Sequence, residues 1–298
     1  MSQRIIPSIS LLLFVVSGFS QSSFFNENAS LEEKWQIGKY DPGEVDLLRL
    51  NPYKPFYVLL ARRTNDVNRE PSNDLLKVTE PLGTEPTEVA FQMSLKTRIA
   101  RNAFGKRSRL DIWVGYTQTA HLQLYNTNIS RPLRETNFEP EIILVQPLRY
   151  RLFGMKGSYV SMAFNHNSNG QSGELSRSWD RLIFETGVEN EHWTILLRPW
   201  FRMNLFPSYD TNPDIIQFFG RGETVVSYRE GRHSLSFRGR HALNPNKMKR
   251  GSLQLGYSYR MGKNFKVYAQ LFHGYSESLI DYNHYQTTGG FGISFVEW

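Results

Sequence analysis

The chain contains no cysteine, which excludes disulfide bonds, thiolate metal sites and a cysteine nucleophile but leaves the cellular compartment open. It also lacks any run of five basic residues, although 35 Lys and Arg against 28 Asp and Glu give a net charge of +7. A basic protein suits nucleic acid or anionic lipid headgroups, but binding to nucleic acid usually requires a clustered charge. We therefore expect no nucleic-acid partner, and most of these charges are typical of a solvated surface.

Long apolar runs are also missing. Beyond residue 20 no stretch approaches the ~18 consecutive apolar residues of a spanning helix, and the mean hydropathy is −0.46. A helical membrane protein is excluded, whereas a β-barrel is not, because its alternating strands dilute their apolar half. The N-terminus differs: Arg4, the mostly apolar Ile5–Phe19 and the small Ser20 predict a signal peptide over 1–20. A short membrane anchor is the alternative, but Pro7 and the short apolar stretch disfavour it.

What dominates the rest of the chain is the alternation of apolar and polar residues with a period of two, which is typical of β-strands. In 250–261, for example, the apolar positions Leu253, Leu255, Tyr257 and Tyr259 alternate with polar ones or glycine. Most segments run to ten or more residues, as tilted membrane strands do. Twelve segments are predicted: 55–65, 88–101, 110–124, 138–150, 157–168, 179–188, 193–203, 215–229, 232–242, 250–261, 265–275 and 286–297.

The predicted connections alternate in length, with short ones such as 189–192 and 230–231 and long ones such as 66–87 and 125–137. Transmembrane barrels show this asymmetry between periplasmic turns and external loops. We predict an all-β fold, a twelve-stranded antiparallel transmembrane β-barrel over 55–298, preceded by a periplasmic lead-in over 21–54. A soluble β-sandwich or a lipocalin-like barrel is the alternative, and strand length and aromatic content disfavour it.

The segment around His166 differs from an ordinary barrel strand. His166 and Ser168 are two residues apart on a predicted strand, so they share a face, with Cα atoms roughly 7 Å apart. That face also holds apolar residues and is therefore the lipid-facing one. Asp180, on the next strand, has the same phase. This combination suits a nucleophilic serine, a histidine base and an orienting carboxylate, and Gly170 is placed to offer an N–H to an oxyanion.

His166-Asn167-Ser168-Asn169-Gly170, followed by Ser176-Arg177-Ser178-Trp179, resembles the signature of the outer-membrane phospholipase A family. Further segments match the family in the same order from about residue 55 to the C-terminus: Tyr116-Thr117-Gln118, Arg134-Glu135-Thr136-Asn137, Asn212-Pro213-Asp214 and Glu277-Ser278-Leu279-Ile280-Asp281-Tyr282-Asn283. The resemblance implies a twelve-stranded barrel in the bacterial outer membrane that hydrolyses acyl esters of phospholipids and is active as a calcium-bound homodimer. Its catalytic pair is then His166 and Ser168, with Gly170 as an oxyanion donor.

The resemblance also implies calcium ligands, namely the Ser130 hydroxyl of one subunit and the Gln171 and Ser176 carbonyls of the other. At two positions where the family has an acidic residue, this chain differs from the family pattern. One of these positions falls at Gly173, and for the other the nearest candidate ligand is Asp210. Gln118 is then expected to form a hydrogen bond across the dimer interface, the alternative being an interfacial glutamine near a headgroup.

The third catalytic residue of the best-known relatives is asparagine, where this chain has Asp180. A carboxylate can orient a histidine equally well. Two non-enzymatic hypotheses remain, a pore or scaffold that keeps the family fold and a lipid-binding or adhesion barrel. Phospholipid hydrolysis with calcium and then with chelator separates these from an enzyme.

Overall fold

The computed structural model describes residues 29–37, 47–105, 107–129, 131–205, 207–242, 250–262 and 265–298. Two short helices occur there, α1 (Leu31–Lys34) and α2 (Ile216–Phe219), with 3₁₀ turns at Gly173–Leu175 and Pro207–Tyr209. The strands are β1 (Asn51–Pro52), β2 (Phe56–Thr64), β3 (Thr87–Ala100), β4 (Asp111–Leu122), β5 (Leu133–Leu152), β6 (Met155–Ser168), β7 (Ser178–Glu189), β8 (Trp193–Met203), β9 (Gly222–Glu230), β10 (His233–His241), β11 (Gly251–Arg260), β12 (Lys266–Gly274) and β13 (Gln286–Val296). No helix in these ranges is long and apolar enough to span a membrane.

Strands β2 to β13 form a closed antiparallel barrel. Each pairs with its neighbours in the chain, and β13 pairs with β2 to complete the ring, while the short β1 pairs with β3. The predicted twelve-stranded barrel is confirmed. Closure gives every strand of the wall a partner on each side, which a membrane demands because lipid offers no hydrogen bonds to backbone groups.

Two predicted boundaries were wrong for identifiable reasons. The strand predicted over 215–229 begins only at Gly222, because Ile215 and Phe219 follow a helical spacing and are both buried. Conversely, β5 begins at Leu133, inside the loop predicted over 125–137. Arg134-Glu135-Thr136-Asn137 shows no apolar alternation, because protein covers both faces of the strand here and Glu135 is fully buried.

The connections alternate in length around the barrel, as predicted. The short ones include 153–154, 190–192 and 231–232, and the long ones include 65–86, 169–177, 204–221 and 275–285. Helix α1 belongs to the short-turn end, where the backbone N–H of Leu31 donates to the Glu189 carboxylate at 2.9 Å. The segment after Ser168 belongs to the long-loop end.

The barrel is polar inside and apolar outside, a pattern typical of membrane barrels. Inward-facing Arg181 and Lys54 both bind Glu139, at 2.6 and 3.0 Å. Large apolar side chains such as Leu253 and Leu255 are exposed on the outer wall. Aromatic side chains also fill part of the interior: Trp35 packs in the lumen against Trp113, Tyr159 and Tyr53, and Lys96 Nζ lies 3.1 Å from the centre of the Trp35 ring.

Candidate active site

His166 and Ser168 lie on the outer wall of the barrel, near the long-loop end of β6. Burial alternates along this strand, so Asn165 and Asn167 are buried inside while Phe164, His166 and Ser168 are accessible from outside. This agrees with the phase predicted from the sequence. A histidine and a serine in this position are accessible to a membrane lipid, whereas a soluble substrate in the lumen cannot reach them.

Asp180 completes a pair with His166. The two residues are direct partners in the antiparallel register of β6 and β7. Their side chains meet, with His166 Nδ1 2.7 Å from Asp180 Oδ1. The histidine side chain is 44% exposed and the aspartate 18%, so the carboxylate is the better shielded of the two. An ionised carboxylate only accepts hydrogen bonds, so Nδ1 carries the proton and Nε2 is left as the basic nitrogen.

Ser168 Oγ is hydrogen-bonded to the loop that follows it. It accepts a hydrogen bond from the Gly170 backbone N–H at 3.1 Å. Between the two described residues Ser168 and His166 the structure shows no direct hydrogen bond. Catalytic hydrogen bonds are often long in the absence of substrate, so this geometry is compatible with a serine–histidine pair. The Gly170 N–H therefore points at the oxygen to which an attacked carbonyl carbon would bond.

Gly170 occupies a position that only glycine fits well. Its φ is +64°, in the left-handed region, and an added Cβ would lie 2.9 Å from Phe138 Cε2. Phe138 is the register partner of Ser168 on β5. Backbone conformation and packing together therefore fix the direction of this N–H group.

The loop 169–177 is held in shape by Asn169, a residue to which the sequence analysis gave no role. Its side chain accepts from the backbone N–H groups of Gln171 and Arg177 and donates to the carbonyl of Leu175 at 2.7 Å. Asn169 is only 3% exposed. Asparagine closes such turns by hydrogen-bonding to the backbone two residues ahead, and its place beside Ser168 was the available sequence signal.

Arg177 is a second residue that sequence reasoning passed over. Its guanidinium is buried and donates to three carbonyl oxygens, those of Glu174, Ser176 and Pro71, at 2.9, 2.8 and 2.6 Å. Pro71 belongs to the long loop 65–86, so this cation joins two external loops. Its signal was the arginine in the Ser-Arg-Ser-Trp motif, whose side chain is 1% exposed.

The predicted calcium ligands are only partly described. Ser130 lies outside the described residues. The Asp210 carboxylate accepts from Arg202 Nη2 at 2.7 and 2.6 Å and from the Asn212 N–H at 3.1 Å. Across the described ranges no three His, Asp or Glu side chains are grouped as metal ligands. A cation bound at this end of one chain would therefore depend on backbone carbonyls such as those of Gln171 and Ser176. The assignment of calcium ligands stays a prediction.

Gln118 lies on the outer wall two strands from the nucleophile. In the register it is the partner of Phe138, which in turn is the partner of Ser168. Tyr116 Oη donates to Gln118 Oε1 at 3.2 Å, and the described residues supply no acceptor for the Gln118 amide nitrogen. The residue predicted to contact a second subunit thus shares a continuous outer surface with Ser168.

Comparison with known sequences identifies relatives of one kind. The family model described as Phospholipase A1 matches residues 31–295. Phospholipase A1 of Escherichia coli (strain K12) is 36% identical over 244 residues, which cover 82% of this chain and 80% of that protein. A putative phospholipase A1 of Neisseria meningitidis serogroup B is 35% identical over 266 residues, covering 86% and 68% of the two chains.

Solved structures agree. Outer membrane phospholipase A from Escherichia coli superposes with a TM-score of 0.74 at 35% identity, covering 83% of this chain and 94% of that one. The outer membrane phospholipase dimer of Salmonella typhi with bound calcium gives a TM-score of 0.75 at 34% identity, covering 87% and 95%. Both relatives share the chain's fold at a substantial sequence identity.

Proposed function

We propose, since this chain belongs to the phospholipase A1 family, that it hydrolyses acyl ester bonds of phospholipids in the outer leaflet of the bacterial outer membrane, with Ser168, His166 and Asp180 as its catalytic triad. The observation that carries this proposal is the His166–Asp180 hydrogen bond of 2.7 Å on the outward face of the barrel, next to a serine. Nothing about a pore or a scaffold calls for a hydrogen-bonded histidine and aspartate on a lipid-facing wall.

In this mechanism Ser168 Oγ attacks the ester carbonyl and His166 Nε2 takes its proton. Asp180 holds the imidazole in the tautomer with the proton on Nδ1 and stabilises the imidazolium that forms. The Gly170 N–H donates to the developing oxyanion. His166 then gives its proton to the departing lysophospholipid alcohol. Water, activated by the same histidine, releases the fatty acid from the acyl-serine.

The surroundings of the triad favour a lipid as substrate. Met162, Phe164 and Leu182 lie on the same outer face as the triad, and Phe138 flanks Ser168. These apolar side chains can bind acyl chains, while the polar end of the strand lies at the level of the headgroups. Because the triad is at the long-loop end, the leaflet that it serves is the outer one.

Calcium fits the donors that the loop offers. The Gln171 and Ser176 carbonyls are hard oxygen donors, as the ion requires, and Asn169 fixes the loop that presents them. The Ser176 carbonyl already accepts from Arg177, so a cation there would use its second lone pair. Asp210 would first have to leave Arg202. Bound calcium would add positive charge that favours the oxyanion.

A homodimer would complete this site. Two carbonyls are few ligands for an ion that takes six to eight oxygens, and the Ser130 hydroxyl of a second subunit would add one. Gln118 would then find a partner for its amide nitrogen in the other copy, which relieves the cost of an unpaired amide next to lipid.

The test is hydrolysis of phospholipid in mixed micelles, with calcium and then with chelator. We expect calcium-dependent release of fatty acid, its loss in Ser168→Ala and His166→Ala, and covalent labelling of Ser168 by a fluorophosphonate. Ser161→Ala is the matched control, since Ser161 lies on the same strand but faces inward. Full activity in Ser168→Ala would exclude the proposed nucleophile.

A further inference from the structure

Arg202 lies at the external end of β8, one residue before Met203, which is the register partner of Asp180. Its side chain forms an ion pair with Asp210 in the loop 204–221, and the two side chains are only 16% and 11% exposed. The proposed catalytic mechanism gives this arginine no task. Its partner is the carboxylate that the sequence predicts as a calcium ligand.

The Arg202 guanidinium contacts oxygen atoms of the following loop. Nη2 donates to both oxygens of the Asp210 carboxylate, at 2.7 and 2.6 Å, and to the Asn212 carbonyl at 3.3 Å. Nη1 donates to the Pro213 carbonyl at 2.9 Å. One cation is thus bound by both oxygens of a carboxylate and by two backbone carbonyls.

These four oxygens are of the kind that binds calcium. In proteins the ion is held by carboxylates, often through both oxygens, and by backbone carbonyls. An arginine forms its strongest pair with a carboxylate when two nitrogens each face one oxygen. Here a single nitrogen of Arg202 serves both oxygens of Asp210, so the guanidinium acts as a point charge, in the way that a metal ion does.

The loop that supplies the oxygens is also closed by bonds of its own. Asp210 Oδ1 accepts from the Asn212 backbone N–H at 3.1 Å, as in an Asx turn. The Asn212 side chain is fully buried, and its Oδ1 accepts from the Thr211 hydroxyl at 2.9 Å. Asn73 Nδ2, from the loop 65–86, donates to the Thr211 carbonyl at 2.8 Å. We therefore expect the four oxygens to stay grouped if the guanidinium is removed.

The same loop holds the strand that carries the orienting carboxylate. Asn212 Oδ1 accepts from the backbone N–H of Ser178 at 3.1 Å. Ser178 is the first residue of β7 and the register partner of Ser168, and Asp180 lies two residues further along the strand. A cation among the loop oxygens therefore stabilises the segment that fixes the start of β7, at the level of the triad.

We propose that the Arg202 guanidinium takes the place of a metal ion in this loop, so that Asp210 is not a calcium ligand in this chain. The arginine is covalently attached and always charged, so it competes at a high effective concentration. A calcium ion that displaced it would leave a shielded guanidinium without its carboxylate, which is costly. Calcium is then confined to the carbonyls of Gln171 and Ser176 and to Ser130 of a second subunit.

The test is calcium binding to the detergent-solubilised protein, measured by isothermal titration calorimetry in a Ser168→Ala background that cannot hydrolyse lipid. We expect Arg202→Met to bind one more calcium ion per chain than the parent, with a Kd on the order of 10⁻⁴ to 10⁻³ M, as in weak extracellular sites. Adding Asp210→Asn to Arg202→Met should remove this additional site. Asp210→Asn alone should leave the calcium binding of the parent unchanged.

Two further variants separate the position of the cation from net charge. Arg202→Lys keeps a tethered cation beside the loop and should add no calcium site. Arg63→Met removes an exposed arginine from β2 and should bind calcium as the parent does. Urea unfolding, followed by the gel mobility of unboiled samples, gives a second readout. In chelator Arg202→Met should unfold at a lower urea concentration than the parent, and calcium should raise its midpoint more than that of the parent.

Calcium binding by the parent that Asp210→Asn reduces would overturn the inference, because Asp210 would then be a ligand despite Arg202. This comparison needs no Arg202 variant, so it decides the question even if Arg202→Met does not fold. A folded Arg202→Met variant without an additional, Asp210-dependent site would overturn it as well and would leave an ordinary ion pair. The inference rests on the proposed function for its calcium chemistry, but these readouts are independent of hydrolysis. Failure of the proposed function would appear instead as a parent that releases no fatty acid.

Discussion

His166 Nδ1 and Asp180 Oδ1 are 2.7 Å apart because the two residues are register partners on adjacent strands. Pairing of the two strands in the barrel wall therefore sets the separation of these two side chains. Such a pair is preorganised, since the sheet already holds the orienting carboxylate against the imidazole before any substrate binds. Ser168, in contrast, depends on the loop that follows it.

Asp180→Asn should retain much of the activity, because an amide oxygen can accept the same hydrogen bond from His166. Asp180→Ala removes that bond and should lower kcat on the order of 10²-fold, below the ~10⁴-fold loss from a wrong tautomer in a protease triad. Steady-state kinetics on micellar phospholipid measures both. Asp74→Ala, which removes an exposed carboxylate from the external loop 65–86, serves as the control. An Asp180→Ala enzyme as active as the parent would mean that another residue orients His166.

Gly170→Ala should lower kcat by roughly 10²- to 10³-fold, the range for loss of one oxyanion donor. The methyl group would meet Phe138 Cε2 at 2.9 Å and strain a φ of +64°, so the N–H would turn away from Ser168. Adding Phe138→Leu removes the contact but not the backbone strain, and should restore only part of the rate. Single-turnover acylation measures this step directly. Normal acylation in Gly170→Ala would assign the oxyanion to another donor.

Ser130→Ala should raise the calcium concentration for half-maximal activity and leave the amount of folded barrel unchanged. The hydroxyl is one of few ligands in the proposed site, so its loss removes a direct contact to the ion. Thr127→Ala, a hydroxyl in the same external connection, is the control. The measurement is a calcium titration of fatty-acid release, and coincident curves for parent and Ser130→Ala would remove Ser130 from the site.

Arg177→Lys and Arg177→Met test whether the guanidinium positions the catalytic loop. It donates to three carbonyls in fixed directions, which an ammonium can imitate only in part. We expect a larger loss of kcat in Arg177→Met than in Arg177→Lys, with little change in KM, because the loop carries Gly170 and not the acyl-binding surface. Arg63→Met, an exposed arginine on β2, is the control. Equal kinetics in all three variants and the parent would make Arg177 dispensable.

Most of the barrel strands, and the outward face that carries the proposed triad, could be predicted from the sequence. Period-two alternation located the strands, and phase alone placed His166, Ser168 and Asp180 on one outward face. The alternation failed where a segment leaves the membrane: β5 extends through Glu135, which is buried by other loops, and α2 buries Ile215 and Phe219 at helical spacing. Only local pattern is visible in a sequence, so these contacts between distant loops were not predictable.

The same limit applies within the site. The register that makes His166 and Asp180 direct partners depends on the length of the loop 169–177, which Asn169 closes by bonds to its own backbone. The Arg177 contact with Pro71 joins residues more than a hundred positions apart, and no spacing rule predicts it. Sequence patterns therefore predicted the residues proposed for catalysis, whereas the structure was needed to find the residues that hold them in place.

Lowering the pH should destabilise the external loops, because it protonates the Asp281 carboxylate. Burial by itself raises the pKa of this carboxyl, but Arg134 Nη1 at 2.8 Å and Asn68 Nδ2 at 3.0 Å outweigh burial and hold its pKa below the ordinary 3.8. A lowered pKa means that the carboxylate contributes stability above the ordinary value and that this contribution is lost as the pH falls through the lower, folded value. At neutral pH, Asp281→Asn should therefore cost on the order of 2 kcal/mol, the scale of a hydrogen bond to a charged group.

Urea unfolding of parent and Asp281→Asn, followed by the gel mobility of unboiled samples, measures this difference. The difference in the free energy of unfolding between parent and variant should be constant from neutral pH down to about 5. It should shrink below the ordinary carboxyl pKa of 3.8. Asp74→Asn, an exposed carboxyl in the loop 65–86, should follow the parent throughout. If this difference in the free energy of unfolding stays the same at the lowest pH, the Asp281 side chain acts by shape and hydrogen bonding alone, without its charge.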